Sequence, residues 1–381
     1  MKIKSFFINY VIVIVFISCE IYSQNNITID FCRNKARENY PSFSNSENYK
    51  VINELKAKNI SNIWLPKFNL NGQATYQSDA IQIKMPVPDL TQQPIVITQK
   101  TFEGLRGQYK ISLDITQNIY DGGASNALKR LNNVSYEMDL LQQEVELRKI
   151  DEIVSDIYFS ILLLKKKNEI YDNIIFLLNE RKKAVESAVI NGVLQISDIE
   201  KIEVELLKNK QNSNEVKSNI CVLYMNLSEL LGINIDSSQI LEVPLPQISD
   251  SMEWNRPELN IYDVQKNNLL ISNDYKRSDV VPKLYAFAQV GYGRPGLNML
   301  KNEAEPYYIL GIGLKWNIWD WNSNNHERQI SKIQSDITEN KKRSFQQSLK
   351  IQLNNAKTRI EQIDENLSND TAMLIIQNQI L

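Results

Sequence analysis

The residue types that most often carry catalysis or metal binding are sparse and scattered in this chain. His326 is the single histidine, and Cys19, Cys32 and Cys221 show no metal-ligand spacing with it or with one another, so neither a zinc site nor a disulfide framework is expected. The glycines of "GYGRPG" at 291–296 open no helix and read as a loop, not as a phosphate cradle. Paired carboxylates for acid–base work and nucleophile motifs are missing as well. The chain reads as a non-enzyme that needs no cofactor and no metal. Its chemistry lies instead in rows of Asn, Gln, Thr, Ser and Lys that alternate with apolar residues and end twice in one signature, "NIYDGG" at 118–123 and "NIWDWN" at 317–322.

Alternation of this kind sends successive side chains to opposite faces of a strand. Tyr109, Ile111, Leu113, Ile115 and Ile119 share one parity, and Lys110, Ser112, Asp114, Thr116 and Asn118 the other. Tyr308, Leu310, Ile312, Leu314, Trp316 and Ile318 likewise oppose Gly311, Gly313, Lys315 and Asn317. Each run has an upstream partner. "PKFNLNGQATYQ" from Pro66 sets Phe68, Leu70, Ala74 and Tyr76 against Asn69, Asn71, Gln73, Thr75 and Gln77. "PKLYAFAQVGYG" from Pro282 repeats its Pro, Lys, Gln and Tyr in register, although Tyr285 and Phe287 interrupt the polar parity. Two strand pairs, 66–120 and 282–320, are therefore expected. The first is joined by a long polar loop from Ser78 to about Gly107, containing "MPVPDLTQQP", and the second by a shorter one from about Arg294 to Pro306. The upstream strands lie 216 residues apart and the downstream ones 199, so the chain reads as two repeats that differ in these loops. Runs of about ten to twelve residues suit a tilted membrane-spanning strand; the same alternation also fits a sheet with one solvated face.

Between and beyond the strand pairs the period changes to seven. Ile150, Ile157, Leu164, Tyr171 and Leu178 recur every seventh residue, with Val154, Ile161 and Ile175 offset by four, the narrow seam of a coiled coil. From about Ser125 to Ala188 there is neither proline nor glycine. Asn191-Gly192 supplies a stop, and Ser197-Asp198-Ile199-Glu200 has the form of a capping box that starts a returning helix. The expected layout is a first repeat, 24–243, with a helix from about Ile29 to Asn59, the strand pair and a helical hairpin over 123–231. A second repeat, 244–381, holds a linker around Pro244–Pro246, a short helix over 256–277 started by "RPEL", the second strand pair and a long helix over 322–380.

At the N-terminus Lys2 and Lys4 precede an apolar run from Phe6 to Ile17, the pattern of an export signal cut after Ser23, so that residues 1–23 are excluded from the fold. Ile17-Ser18-Cys19 partly resembles a lipidation site, which keeps Cys19 as the competing attachment point although Phe16 fits that pattern poorly. The 381 residues carry a formal net charge of −2 with the signs interspersed, which gives no reason to expect a nucleic-acid partner.

The order of elements, the paired signatures, "RPEL" and "NGVLQISDIEKI" together resemble the TolC-like outer membrane factors of Gram-negative efflux and secretion systems, over almost the whole mature chain. Within "NGVLQISDIEKI", Gly192, Val193, Asp198 and Ile199 match the tip of that family's helical hairpin. The resemblance answers a physical difficulty, because four amphipathic strands cannot close a barrel alone and open edges in lipid leave backbone groups unsatisfied. It implies a mixed α/β membrane protein: a homotrimer giving four strands per chain to a twelve-stranded outer-membrane β-barrel, continued by an α-helical coiled-coil tunnel in the periplasm. Lipid would meet the apolar parity. Asn69, Asn71, Gln73, Thr75, Lys110, Ser112, Asp114, Thr116, Lys315 and Asn317 would face the pore. The implied partners are a periplasmic adaptor and an inner-membrane pump, with substrates passing through the lumen. At the tip, Val193 and Leu194 are expected to meet the adaptor beside Gly192, while Ser197 and Asp198 hold the turn and the helix start. One departure stands out: adding the 199-residue offset to Gly192 puts a second tip near residue 391, so the second repeat is expected to lack its return helix and the acidic aperture residues of the family. That exposes apolar residues such as Ile330, Ile333 and Ile337. The readings of another class are a structural coiled-coil envelope protein and a truncated, inactive channel paralogue.

Overall fold

The computed structural model describes residues 27–89, 96–245, 256–299 and 301–380. The signal segment with Cys19, part of "MPVPDLTQQP" and Pro246 of the linker lie outside the described residues.

Helix α1 (Ile29–Asn39) is followed by a 3-10 turn (Pro41–Ser44) and α2 (Asn45–Ser61), so the single helix expected from about Ile29 to Asn59 is broken. Pro41 is the cause: it has no N–H for a helical bond and drives the preceding residue out of the α region, and Tyr40 is extended at φ −69°, ψ 126°. Strand β1 (Lys67–Tyr76) then leads to a segment expected to be a polar loop. The segment forms a second hairpin instead, β2 (Gln82–Asp89) against β3 (Val96–Glu103), in which Ile83, Met85 and Val87 alternate with Lys84, Pro86 and Pro88. Strand β4 (Gly107–Tyr120) precedes the 67-residue α3 (Ala124–Ile190), about 100 Å long at 1.5 Å per residue. After α4 (Ile196–Leu231) come α5 (Pro257–Arg277), β5 (Lys283–Arg294), β6 (Glu305–Lys315) and α6 (Ser323–Ile380).

The chain divides into two compact units. The first holds described residues 27–46 and 143–245. Its core is the heptad seam: Ile150, Val154, Tyr158 and Ile161 of α3 pack against Val216, Ile220, Tyr224 and Leu227 of α4 and against Cys32 and Ala36 of α1. The Tyr158 hydroxyl lies 2.7 Å from the Ile27 carbonyl and 2.6 Å from that of Glu242, donating to one at a time, where Ile27 pairs with Leu241 in a parallel bridge. Arg37 clamps α1 to α3 with a forked pair on Asp151, Nε to Oδ1 at 2.9 Å, a geometry that fixes direction as well as distance. Both described cysteines are free; burial pushes the Cys32 thiol up to about 11, while Cys221 is exposed.

The second unit holds residues 47–142 and 256–380 and contains the sheet. Val134 of α3 packs on Val264 and Ile271 of α5. The α5–α6 pair is held by ion pairs, Lys266 to Glu339 at 2.8 Å and Lys342 to Asp263 at 2.7 Å, over a seam that buries Ser331 and Thr338. Ile330, Ile333 and Ile337 are exposed, as are Ile351, Ile360, Ile363 and Leu367 farther along α6.

The repeated signature marks the passage from strand to helix. In the first copy the Asp121 carboxylate accepts from the backbone N–H of Gly123 at 3.0 Å and of Ser125 at 2.7 Å. In the second, Asp320 accepts from Asn322 at 3.0 Å and Asn324 at 2.9 Å. Each aspartate thus satisfies two of the amide donors that open a long helix. The two residues after it are left-handed in both copies: Gly122 and Gly123 at φ +69° and +90°, Trp321 and Asn322 at +52° and +65°. Glycine adopts this region freely, whereas tryptophan is strained there. Asp121→Ala and Asp320→Ala should each lower stability by about 0.5–2 kcal/mol. Trp321→Gly should raise it by about 1 kcal/mol. Guanidinium unfolding in detergent measures all three, and a neutral Asp320→Ala would show that the cap carries no weight.

Candidate functional site

Two features collect the residues singled out by sequence: the polar face of the sheet and the turn between α3 and α4. The sheet is antiparallel throughout, in the order β1-β4-β5-β6. Its register places Asn69 opposite Asp114, Asn71 opposite Ser112, Gln73 opposite Lys110 and Lys67 opposite Thr116. Asn69, Asn71, Gln73 and Thr75 therefore share one face with Lys110, Ser112, Asp114 and Thr116, and Lys315 reaches the same parity through Lys283 on β5. Asp114 ties three strands together, accepting from Asn71 of β1 and from Gln289 of β5 at 2.6 Å. Ser112 is buried within this network, at 3% exposure, which the alternation alone did not indicate.

Asn317 does not join the face on a strand. The strand expected to run to residue 320 stops at Lys315, opposite Lys283. The next residue on the facing strand is Pro282, which has no N–H to give to a ladder. Trp316 turns away instead, and its indole N–H donates to the Val280 carbonyl at 3.0 Å.

Tyr285 and Phe287, which break the polar parity of β5, have a local reason. Their rings lie across Gly313 and Gly311 of β6, where an added Cβ would collide with them, and Tyr307 covers Gly291 in the same way. The aromatic rings supply the cover that glycine lacks on a pleated surface. The opposite face is apolar and bare: Leu70, Ile312 and Leu310 are each at least 70% exposed. A sheet in water does not leave such a continuous face open. No partner strand lies on the outer edge of β1 or of β6 among the described residues.

Where the strands turn back, a cavity of about 370 Å³ opens on the polar face. Gln108, Lys110, Gln289 and Tyr307 line it together with Ile83 of the β2–β3 hairpin and Leu297 and Met299 of the β5–β6 loop.

The α3–α4 turn is built from backbone bonds. Gly192 is left-handed at φ +74°, its N–H reaches the Val189 carbonyl at 3.0 Å, and the Val193 N–H reaches Ala188 at 2.9 Å, a closure that satisfies the last carbonyls of α3. The returning helix begins at Ile196 with Gln195 as its cap, so Ser197 does not hold the helix start as expected. The register is set two residues earlier because Asp198, at the third helical position, accepts from the Gln195 N–H at 3.3 Å. The Lys201 ammonium at 2.9 Å, together with that backbone donor, holds the Asp198 carboxyl below its ordinary range. Val193 is 75% exposed and Leu194 less so, and Ile190 and Ile196, passed over in the sequence, extend the same apolar surface. Their signal was their position within a turn of Gly192. Among the described residues no group of side chains could hold a metal, and no helix is long and apolar enough to cross a membrane.

No protein-family model matches the chain, and no curated protein matches it either. Solved structures do. The outer membrane protein VceC from Vibrio cholerae aligns with a TM-score of 0.59 at 12% identity, over 83% of this chain and 75% of its own. CusC gives 0.60 at 13%, over 86% and 74%. The Campylobacter jejuni CmeC outer membrane channel gives 0.59 at 13%, over 84% and 68%. The chain has the fold of the TolC-like outer-membrane channels.

Because Gly311 lies beneath Phe287, Gly311→Val should cost about 1–3 kcal/mol through overpacking. Phe287→Ala added to it should recover most of that loss, as read by guanidinium unfolding in detergent. A Gly311→Val protein as stable as the parent would mean that the ring does not rest there.

Proposed function

We propose that the chain is the outer-membrane channel-tunnel subunit of a tripartite efflux or type I secretion system, a passive conduit with no catalytic step. The observation that carries this reading is the sheet with one bare apolar face, one hydrogen-bonded polar face and two open edges. In hydrocarbon an open edge costs several kcal/mol per unsatisfied group. Pairing β6 of one copy with β1 of the next removes every edge, and three copies close a twelve-stranded barrel that turns its apolar parity to lipid. Asn71, Thr116 and their row then line water. The long helices continue the conduit in the periplasm, and neighbouring copies cover the apolar residues left exposed along α6. An inner-membrane pump drives substrates in through a periplasmic adaptor. The turn at 190–196, rigid and apolar, is the surface for that adaptor, an arrangement suited to docking against another helical hairpin.

Two experiments test the two halves separately. In a Cys221→Ser background, cysteines at Asn71, Thr116 and Lys315 should react in intact outer membranes with a pore-permeant, membrane-impermeant thiol reagent, and cysteines at Leu70, Ile115 and Leu314 should not. Equal reaction of the two sets removes the barrel. Val193→Asp and Leu194→Asp should each reduce export at least about tenfold, the loss of a central apolar contact, without changing trimer yield. Normal export in both leaves the segment as a turn only.

A further inference from the structure

Four tyrosines of the apolar face, one from each strand, fall on a single diagonal. Tyr76 of β1 is followed at a two-residue offset by Tyr109 of β4, whose direct partner on β1 is Ala74. Tyr109 faces Arg294 on β5, two residues beyond Tyr292, and Tyr292 faces Pro306 on β6, two residues before Tyr308. Every strand crossed shifts the tyrosine by two residues in the same direction. All four are exposed, from 48% to 79%.

We infer that this diagonal is a level row, lying in the plane of one membrane interface, so that the partner of the four tyrosines is the headgroup boundary of a lipid bilayer. The inference rests on the channel reading. A two-residue step is about 6.7 Å along a strand and neighbouring strands are about 4.8 Å apart. A level row with that step therefore requires strands inclined by about 54° to the membrane normal. Side chains on one face permit only even steps, and of these two comes nearest to the inclination of about 35–45° usual in outer-membrane barrels. Tyrosine suits the place, since its ring is apolar and its hydroxyl needs water.

The other boundary is set by the same strands. Tyr120 lies eleven residues from Tyr109 on β4. The register shift between Asn118 and Tyr120 pairs Tyr120 with Leu284, which turns it from the polar parity to the apolar face. Eleven residues cover about 36 Å of strand, which at an inclination of about 45–54° spans about 21–26 Å along the normal, against an apolar band of about 25 Å in such barrels. Beyond the end of β6 at Lys315, Trp319 is exposed, its ring edge-on to Trp321 at 5.9 Å. The geometry also names a midplane row six residues in from each tyrosine: Leu70, Ile115, Ala286 and Leu314.

A level row and a level rung make different demands. Along the hydrogen-bonded rung, Tyr308 neighbours Val290, Leu113 and Leu70, so an uninclined sheet sets Tyr308 at the depth of Leu70. Cysteines replacing Tyr76, Tyr308, Leu70 or Leu314, one at a time in the Cys221→Ser full chain, would be spin-labelled after reconstitution into phosphatidylcholine vesicles. Relative relaxation by oxygen and by a water-soluble nickel chelate gives the depth of each label. The expected result is that Tyr76 and Tyr308 share one shallow depth, and Leu70 and Leu314 share another about 12–14 Å deeper. If Tyr308 instead shares the depth of Leu70, the row is wrong while the barrel stands. If none of the four labels gains oxygen access over the chelate, the sheet is not in the bilayer, and both the row and the channel reading fall.

Discussion

The constraint on which the rest depends is that backbone N–H and C=O groups facing hydrocarbon must pair with one another, because no water is there to take them. Within the sheet that requirement is met along three ladders, β1–β4, β4–β5 and β5–β6, and it fails only on the outer edges of β1 and β6. An antiparallel sheet of even strand number has a useful property here. Its two edge strands run in opposite directions, so that a neighbouring copy related by rotation about a common axis can continue the ladder in the same antiparallel sense. On the proposed barrel reading, the four-strand count therefore meets the condition for closure with further copies of the chain.

The same requirement explains why the strand ends are so carefully finished. A strand that feeds directly into a long helix passes from one hydrogen-bonding scheme to another, and the first turn of the helix has amide donors with no carbonyl to meet. Asp121 and Asp320 take two of these donors each, two and four residues on. The common Asn-Ile-aromatic-Asp ending is therefore a junction chemistry, and the part of it that meets the helix amides is the carboxylate. The two residues after the carboxylate are free to differ: Gly122-Gly123 in one copy and Trp321-Asn322 in the other reach the same left-handed pair. The second accepts strain, and its tryptophan is the ring that meets Trp319 edge-on at 5.9 Å.

How far the sequence was legible depends on which of these features repeat. Periods of two and seven carry their meaning in many residues at once, and β1, β4, β5, the hairpin of α3 with α4 and the start of α5 at Pro257 fall close to where alternation, heptads and turn residues set them. Single-residue events are harder to read. Pro41 is visible in the sequence, yet the helical composition on either side of it masks its effect on Tyr40. The β2–β3 hairpin is hidden by its prolines, since Pro86 and Pro88 mark a loop unless the strand is an edge, and here each strand has only one neighbour. Ser197 is the stronger capping residue type at the start of α4, but Asp198 contacts the Gln195 amide and moves the cap upstream. Tyr285 and Phe287 look like errors in a polar face because their reason, Gly313 and Gly311, lies on another strand.

These distinctions bear on why identity to the solved channels is only 12–13% while the fold is shared. Lipid asks of a strand that alternate residues be apolar, and a coiled seam asks that every seventh and the intervening fourth be apolar. Neither asks for a particular side chain. Where a specific residue is required, the requirement is local and short: a carboxylate two residues before a helix amide, a left-handed residue at the α3–α4 turn, an aromatic ring over a glycine. Such positions are few, and several admit substitutes, as the Gly-Gly and Trp-Asn junctions show within this one chain. A fold specified by periods and by a handful of interchangeable junctions can drift far in sequence and keep its shape. It also means that residues beyond those needs, such as the exposed apolar group at Ile190, Val193 and Ile196, are not explained by the fold. They sit at a turn that Gly192 and Asp198 already complete, where polar residues would serve the helices equally well, and this surplus of apolar surface is what the proposed docking role accounts for.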